Sequence, residues 1–281
     1  MQRTIQQERA EAFHRLHAGD GVLVLVNAWD AVSARLFEQA GSPAIATTSA
    51  GMAWSLGYSD GQQVSVREFV EACARICRVV AAPVSVDIER GYGQTPAEVS
   101  VMMRALLELG VVGINIEDGV TPGTTELVPP NILTEKISAI RAVAEEAGVR
   151  LFINARTDTY FVPTDDPVAR YEDTVRRAKM YVEAGADGVF VPGLASLEEI
   201  TRMAQALPRP LNIYAGYAGL PPVDELRRAG VRRVSLGCGP FQAALALARS
   251  IATETLNAGT YTAMTANMLS AREANSLFSN G

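Results

Sequence analysis

One unit recurs along this chain: the end of an amphipathic helix, a glycine, a short loop and an apolar strand. It is clearest in EAGADGVFVPG (183–193) and returns as ELGVVGINIE (108–117), EEAGVRLFINAR (145–156) and RRAGVRRVSLG (227–237). Short apolar, β-branched runs of this kind suit parallel strands buried on both faces. Strands are expected at 21–27, 43–48, 83–88, 111–117, 150–156, 187–192, 210–215 and 231–237. Helical patterns fill 30–40, 65–81, 96–109, 131–147, 167–184, 196–206, 222–229 and 239–257. Ser65, Thr95-Pro96 and Asp166-Pro167 are start signals. Gly41, Gly110, Gly148, Gly185 and Gly230 follow helix ends, where a left-handed residue is favoured. Eight such βα units close into a TIM barrel. An open doubly wound sheet is the competing α/β arrangement.

The length, 281 residues, fits one barrel domain over 1–281 with a helical extension from about residue 240. The tail from 258 to 281, with TAMTANMLSAREANSLF at 262–278, reads as an extra helix whose Met and Leu stripe needs a partner surface, on its own barrel or on a neighbouring subunit. A net charge of −6, with basic residues scattered, gives no reason to expect a nucleic-acid or membrane partner. The first twenty residues lack a signal-peptide core and no apolar stretch is long enough to span a bilayer, so the cytoplasm is expected. Three cysteines, Cys73, Cys77 and Cys238, without a CxxC, argue against a disulfide framework; Cys73 and Cys77 read as core thiols on a helix. The only histidines, His14 and His17, are near the N-terminus. A His-rich zinc site or a Ser-His-Asp triad in the body of the protein is therefore excluded.

Active sites of such barrels lie at the C-terminal ends of the strands. Read in order, those ends carry Asn27-Ala28-Trp29-Asp30, then Thr47-Thr48-Ser49-Ala50-Gly51 with Asp60 in the following loop, then Asp87 and Glu89. Next come Asn115, Glu117 and Asp118, then Asn154, Arg156 and Asp158. Strands six to eight end in VPG, YAGY and GCGP, with little charge. Residues two apart on a strand share a face, so Asp87 and Glu89 can both point to the barrel mouth, joined by Glu117. Clustered carboxylates repel and raise each other's pKa; a divalent cation removes the conflict. Asp60, Asp87, Glu89 and Glu117 form the acidic set expected for Mg²⁺, with Mn²⁺ as the alternative, and Arg156 opposite would pair an anionic substrate. The competing reading makes Asp87 and Glu89 salt-bridge partners of Arg90 or Arg156. Ser49-Ala50-Gly51 reads as a small-residue loop whose N–H groups could hold a carboxylate or an oxyanion. Trp29 is a pocket-wall candidate and Asp30 a helix cap. Tyr58, Tyr92, Tyr160, Tyr214 and Glu117 are the acid–base candidates, and the loop 119–130, rich in Pro, Gly and Thr, is expected to act as a mobile lid.

These segments resemble the phosphoenolpyruvate mutase/isocitrate lyase superfamily. The resemblance rests on NAWDAVSARLFEQAG, TTSAGMAWSLGYSDG, VSVDIERGYG, GINIEDG and INARTDTY, in that order, and covers roughly residues 20–255. It implies a TIM barrel with its last helix swapped between subunits of a homodimer or homotetramer. It also implies Mg²⁺, a small 2-oxo or 2-hydroxy carboxylate, and C–C or P–C chemistry through an enolate-like intermediate. By position, Asp87 resembles the direct metal ligand. Asp60, Glu89 and Glu117 resemble carboxylates that hold metal-bound water. Ser49, Ala50 and Gly51 resemble the substrate-carboxylate segment, and Arg156 the substrate arginine. Two departures bear on the reaction. The lyases carry a KKCGH-like loop after strand four, where this chain reads EDGVTPGTTELVPPN, without Cys, Lys or His; a histidine of the mutases appears here as Pro192. A lyase-type enzyme is the leading expectation. A phosphonopyruvate-type mutase or hydrolase and a non-catalytic carboxylate-binding protein are the alternatives.

Overall fold

The computed structural model describes residues 2–121 and 123–278. All strand pairs of its sheet are parallel: β1 (Leu23–Leu25), β2 (Asn27–Ala28), β3 (Ile45–Thr47), β4 (Val84–Asp87), β5 (Gly113–Glu117), β6 (Phe152–Arg156), β7 (Gly188–Phe190), β8 (Leu211–Tyr214) and β9 (Arg233–Ser235). The first expected strand is split at Val26. Its first half pairs with β9 and its second with β3, so the two edges meet and the sheet becomes a TIM-type barrel. That pairing rules out the open sheet.

The helices in chain order are α1 (Gln2–Ala18), α2 (Ala31–Gln39), α3 (Ser49–Ser55), α4 (Val66–Val79), α5 (Pro96–Glu108), α6 (Pro130–Glu146), α7 (Pro167–Glu183), α8 (Leu197–Ala206), α9 (Val223–Arg228), α10 (Gly239–Ala258), α11 (Thr262–Asn267) and α12 (Ala271–Ser276). The start signals act as expected. Asp30 caps α2 in a box with Ser33, Thr95 caps α5 in a box with Glu98, and Ser65 and Asp166 cap α4 and α7. The glycine at the end of α7, Gly185, takes a left-handed φ of +115°.

Helix α1 was not expected. Its apolar stripe is sparse, but Phe13 is fully buried and meets Phe152 edge-on at 5.5 Å, while His17 stacks on Phe152 at 3.9 Å. Gly113 opens β5 because a Cβ there would lie 2.6 Å from the Phe13 ring. The helix thus closes the barrel end opposite the strand C-termini. Above it the interior is polar. Arg233 of β9 reaches across to Asn115 of β5 at 3.2 Å, and Asn154 donates to the same oxygen at 2.9 Å. Ser235 accepts from Arg233 and from Asn212 at 3.1 Å each. Cys73 is buried and Cys77 half-buried, both thiols raised by burial, as expected of packing residues.

Two features of the tail depart from expectation. The single helix read over 258–281 is two short helices, α11 and α12, broken at Met268–Ser270, and its residues 279–281 lie outside the described residues. Helix α10 buries none of its twenty residues, whereas Leu277 beyond α12 is buried and its carbonyl accepts from Arg35 Nε at 2.6 Å. No helix among the described residues is long and apolar enough to cross a membrane.

Candidate active site

Strand β3 runs directly into α3, so Ser49-Ala50-Gly51 is the first turn of a helix and not the loop expected from sequence. Thr48 caps it, accepting from the Gly51 amide at 3.5 Å. Gly51 is required by crowding: a Cβ there would stand 2.7 Å from Thr48 Cγ2 and 2.9 Å from Trp29 Cβ. Trp29 stacks on Phe241 at 4.7 Å beside this turn. First-turn amides have no intrahelical acceptor, so the helix still presents N–H groups. Ser49 uses its own on Asp87: its hydroxyl donates to Oδ2 at 3.0 Å and its amide at 3.4 Å.

Asp87 ends β4, its amide held by Thr47 Oγ1 at 2.9 Å. Glu89 follows in a left-handed conformation, φ +49°, and Gly91 and Tyr92 are also left-handed at +98° and +51°. Such φ values cost about 1 kcal/mol or more for a non-glycine residue and persist only where neighbours enforce them. Here three elements do. Lys136 of α6 donates to the carbonyls of Arg90 and Gly93, at 2.8 Å each. Gln62 Oε1 accepts from the Tyr92 amide at 2.7 Å, and the Tyr92 hydroxyl donates to Glu89 Oε1 at 2.9 Å. The Tyr92 ring stacks on Phe69 at 4.6 Å.

The four acidic residues act on one another electrostatically. Burial, then the charges of Asp87 and Asp60, push the Glu89 carboxyl up to about 7, against the pull of Tyr92. Desolvation and Asp87 raise Asp60. Burial raises Glu117 well above the carboxylate range, with Arg156 pulling the other way and Asp87 and Glu89 adding to the rise. Among the described residues no ion pair joins Asp87 or Glu89 to Arg90 or Arg156, and the salt-bridge reading of that pair fails. Nor do three His, Cys, Asp or Glu side chains among the described residues stand close enough to cage a metal. The donor set, oxygen-only carboxylates in mutual repulsion without a tight cage, fits an ion held by one or two carboxylates and otherwise by water, as Mg²⁺ is.

Arg156 has a different setting from the one its sequence position suggested. It pairs with Glu117 at 2.8 Å, and its fork grips Asp158 at 2.6 and 3.0 Å. Burial alone would lower its pKa; Glu117 and Asp158 outweigh that and raise it. Its guanidinium lies 5.7 Å from the Phe161 ring centre and 5.9 Å from that of Phe190. Tyr214 meets Tyr217 edge-on at 4.9 Å and sits 3.7 Å from Cys238 Sγ, and both tyrosines feel the Arg156 charge.

Of the tyrosine candidates, Tyr92 bonds Glu89 in the acidic site, whereas Tyr214 ends β8 beside Tyr217 and Cys238. Tyr58 is exposed on Glu68, and Tyr160 packs under Arg170 with its hydroxyl toward Glu199. Asp118 turns away from the mouth. It accepts from Thr157, Tyr181 and Arg177 at 2.8, 2.7 and 3.1 Å, and Arg177 continues to the Val128 carbonyl at 2.9 Å. This network anchors the base of the 119–130 loop, which is closed by an antiparallel bridge from Val120 to Leu127. Pro122 in that loop lies outside the described residues. Sequence reasoning missed Lys136, Arg177 and Arg233. Only Arg233 carried a signal, a charged residue inside an apolar strand.

Compared with known proteins, residues 13–256 match the profile described as Phosphoenolpyruvate phosphomutase. A 2-methylisocitrate lyase of Aeropyrum pernix is 31% identical over 85% of this chain and 77% of its own length. An oxaloacetate decarboxylase of Pseudomonas putida is 30% identical over 87% of this chain and 84% of its own. The crystal structure of 2,3-dimethylmalate lyase, a PEP mutase/isocitrate lyase superfamily member, superposes with a TM-score of 0.83 at 25% identity, covering 96% of this chain and 94% of that one. Profile match and barrel agree: the chain belongs to the phosphoenolpyruvate phosphomutase family, within the PEP mutase/isocitrate lyase superfamily.

Proposed function

We propose that this protein is a Mg²⁺-dependent, lyase-type enzyme that cleaves or forms a C–C bond in a small 2-oxo or 2-hydroxy carboxylate through an enolate-like state. One observation carries the reading: Asp87 and Glu117 end the adjacent strands β4 and β5, Glu89 follows in the turn after β4, and Asp60, in the loop before α4, acts on Asp87 and Glu89 electrostatically, with Asp87 and Glu89 in no ion pair among the described residues. Asp87 would hold the ion directly, and Asp60, Glu89 and Glu117 through water. When bound, Mg²⁺ supplies a Lewis acid for the substrate's carboxylate and carbonyl oxygens.

The chain's own residues do the rest. The Ser49 hydroxyl fixes the rotamer of Asp87. The first-turn amide of Ala50, left over once Ser49 bonds Asp87 and Gly51 bonds the Thr48 cap, offers a hydrogen bond to the substrate carboxylate, and Trp29 walls that side. Arg156, aligned by Asp158, places positive charge where negative charge grows during the reaction. Glu117 is the candidate proton carrier. Burial keeps its proton affinity high, and Arg156 holds its Oε2 in place. Relatives named 2-methylisocitrate lyase and oxaloacetate decarboxylase support the carbon–carbon class. Helix α10, which touches the barrel mouth through Phe241 but leaves Leu245, Leu247 and Leu256 exposed, supports exchange of C-terminal helices between subunits.

Calorimetric titration of Mg²⁺, alone and with oxalate as an enolate mimic, tests this function. Oxalate binding that requires Mg²⁺ and disappears in Asp87→Ala is expected. Metal-independent behaviour in both proteins would reduce the carboxylates to structural residues and leave a non-catalytic scaffold.

A further inference from the structure

The carboxylate that follows Glu117 in the chain has a different task from the acidic set. Asp118 turns into the wall between β5, β6 and α7, where its side chain is fully buried. Its Oδ1 accepts from the Asp158 amide at 3.0 Å and from the Gly119 amide at 2.8 Å. Its Oδ2 accepts from the Thr157 hydroxyl at 2.8 Å, besides Tyr181 and Arg177 of α7. Its own amide donates to the Arg156 carbonyl at 3.3 Å. Asp118 therefore bonds three consecutive residues at the end of β6: Arg156, Thr157 and Asp158.

That strand end aims the guanidinium. Asp158 grips the Arg156 fork at two points and Glu117 at a third. Glu117 is next to Asp118 in the chain, and Asp158 is held by it through the backbone. Both acids that orient Arg156 are thus fixed relative to Asp118. A planar fork held in this way has little freedom left to lose when an anion arrives.

The same carboxylate reaches the loop 119–130. The Gly119 amide is on its Oδ1, the Val128 amide donates to the Gly119 carbonyl at 3.0 Å, and Arg177 spans from Asp118 Oδ2 to the Val128 carbonyl at 2.9 Å. A carboxylate offers about four acceptor positions. Here they are filled by donors from the strand end on one side and from the loop and α7 on the other.

We infer that Asp118 is a positioning residue: through Thr157 and Asp158 it sets the Arg156 guanidinium for the substrate, and through Arg177 it ties that setting to both feet of the 119–130 loop. This rests on the proposed function, in which Arg156 meets the substrate.

The test separates Mg²⁺ binding from oxalate binding at saturating Mg²⁺, both by calorimetry. Thr157→Val keeps the shape and removes the bond from β6. It is expected to weaken oxalate about tenfold, as loss of a partner behind a binding residue does, with Mg²⁺ affinity unchanged. Thr157→Ser restores the hydroxyl and should restore oxalate affinity. Tyr181→Phe removes a bond to the same oxygen that comes from α7, and should lower the melting temperature while leaving oxalate affinity unchanged. In Arg177→Lys, which keeps the charge but not the span to Val128, amides of 119–130 should exchange faster and oxalate should bind more weakly in the same protein. Parent-like oxalate affinity in Thr157→Val, or an equal loss in Tyr181→Phe, would overturn the inference and make Asp118 a strut of the fold, with the proposed function intact. Faster loop exchange with unchanged oxalate affinity in Arg177→Lys would overturn its tie to the loop. Absence of Mg²⁺-dependent oxalate binding in the parent would overturn both the inference and the proposed function.

Discussion

At the scale of single residues, His17 ties stability to pH. Its Nδ1 is 2.8 Å from the Phe13 carbonyl, which suits the neutral ring donating there, while Nε2 is buried without a partner among the described residues. Burial first, then the nearby Arg233 charge, lowers its pKa from 6.5 to about 3. The unfolded chain takes up a proton below about 6.5 and the folded one refuses it until about 3, so stability falls across that window as pH drops. Between pH 7 and 4.5 the group accounts for a loss of about 2–3 kcal/mol. Urea unfolding of the parent and of His17→Phe at both pH values should show the variant losing that much less. Parallel losses would mean the ring titrates alike in both states. Asp87, Glu117 and Arg156 end β4, β5 and β6 as read from the sequence, but Glu89 lies beyond β4 in a left-handed turn that strand alternation does not set, so its placement is a correction to that reading. The partners of Arg156 were not legible, because an arginine's reach lets several acids compete for it and only packing decides among them.

At the scale of elements, the turn after β4 is held by a helix far along the chain. Lys136 bonds the carbonyls on either side of the left-handed residues 91 and 92, just beyond Glu89. Lys136→Met should leave the barrel folded, lower its stability by about 1–3 kcal/mol for two stranded carbonyls, and weaken Mg²⁺ binding by about 10–100-fold, as loss of a supporting bond behind a metal ligand does. Calorimetry and thermal unfolding of the variant would measure both; unchanged Mg²⁺ affinity would separate the turn from the metal site. No local pattern announces such a contact, since a lysine in an amphipathic helix reads as a solvated charge. Helix α3 was hidden for a related reason. Its small residues mimic a loop, and the Thr48 cap and the crowding of Trp29 on Gly51 become visible only when β3 is beside its neighbours.

At the scale of the whole molecule, the repeated glycine-strand unit made the barrel legible, because eight copies leave few ways to bury two-faced strands. Helix α1 was illegible, since it earns its place by plugging the barrel floor with Phe13 and His17 and not by a broad apolar face. Helix α10 presents the opposite case. Leu245, Leu247 and Leu256 are exposed on a helix that buries nothing. Sedimentation equilibrium should find a dimer or tetramer. Removal of residues 262–278, which follow that helix, should weaken the association. A monomer at micromolar concentration would leave these leucines without an explanation.

The split of the first strand at Val26 also has a consequence during synthesis. One half can pair with β3 as soon as that strand emerges, but the other must wait for Arg233, roughly 200 residues later. At typical ribosomal rates the delay is roughly 10–40 s, during which an unpaired strand edge is open to other nascent chains. Chaperone demand should peak in that interval.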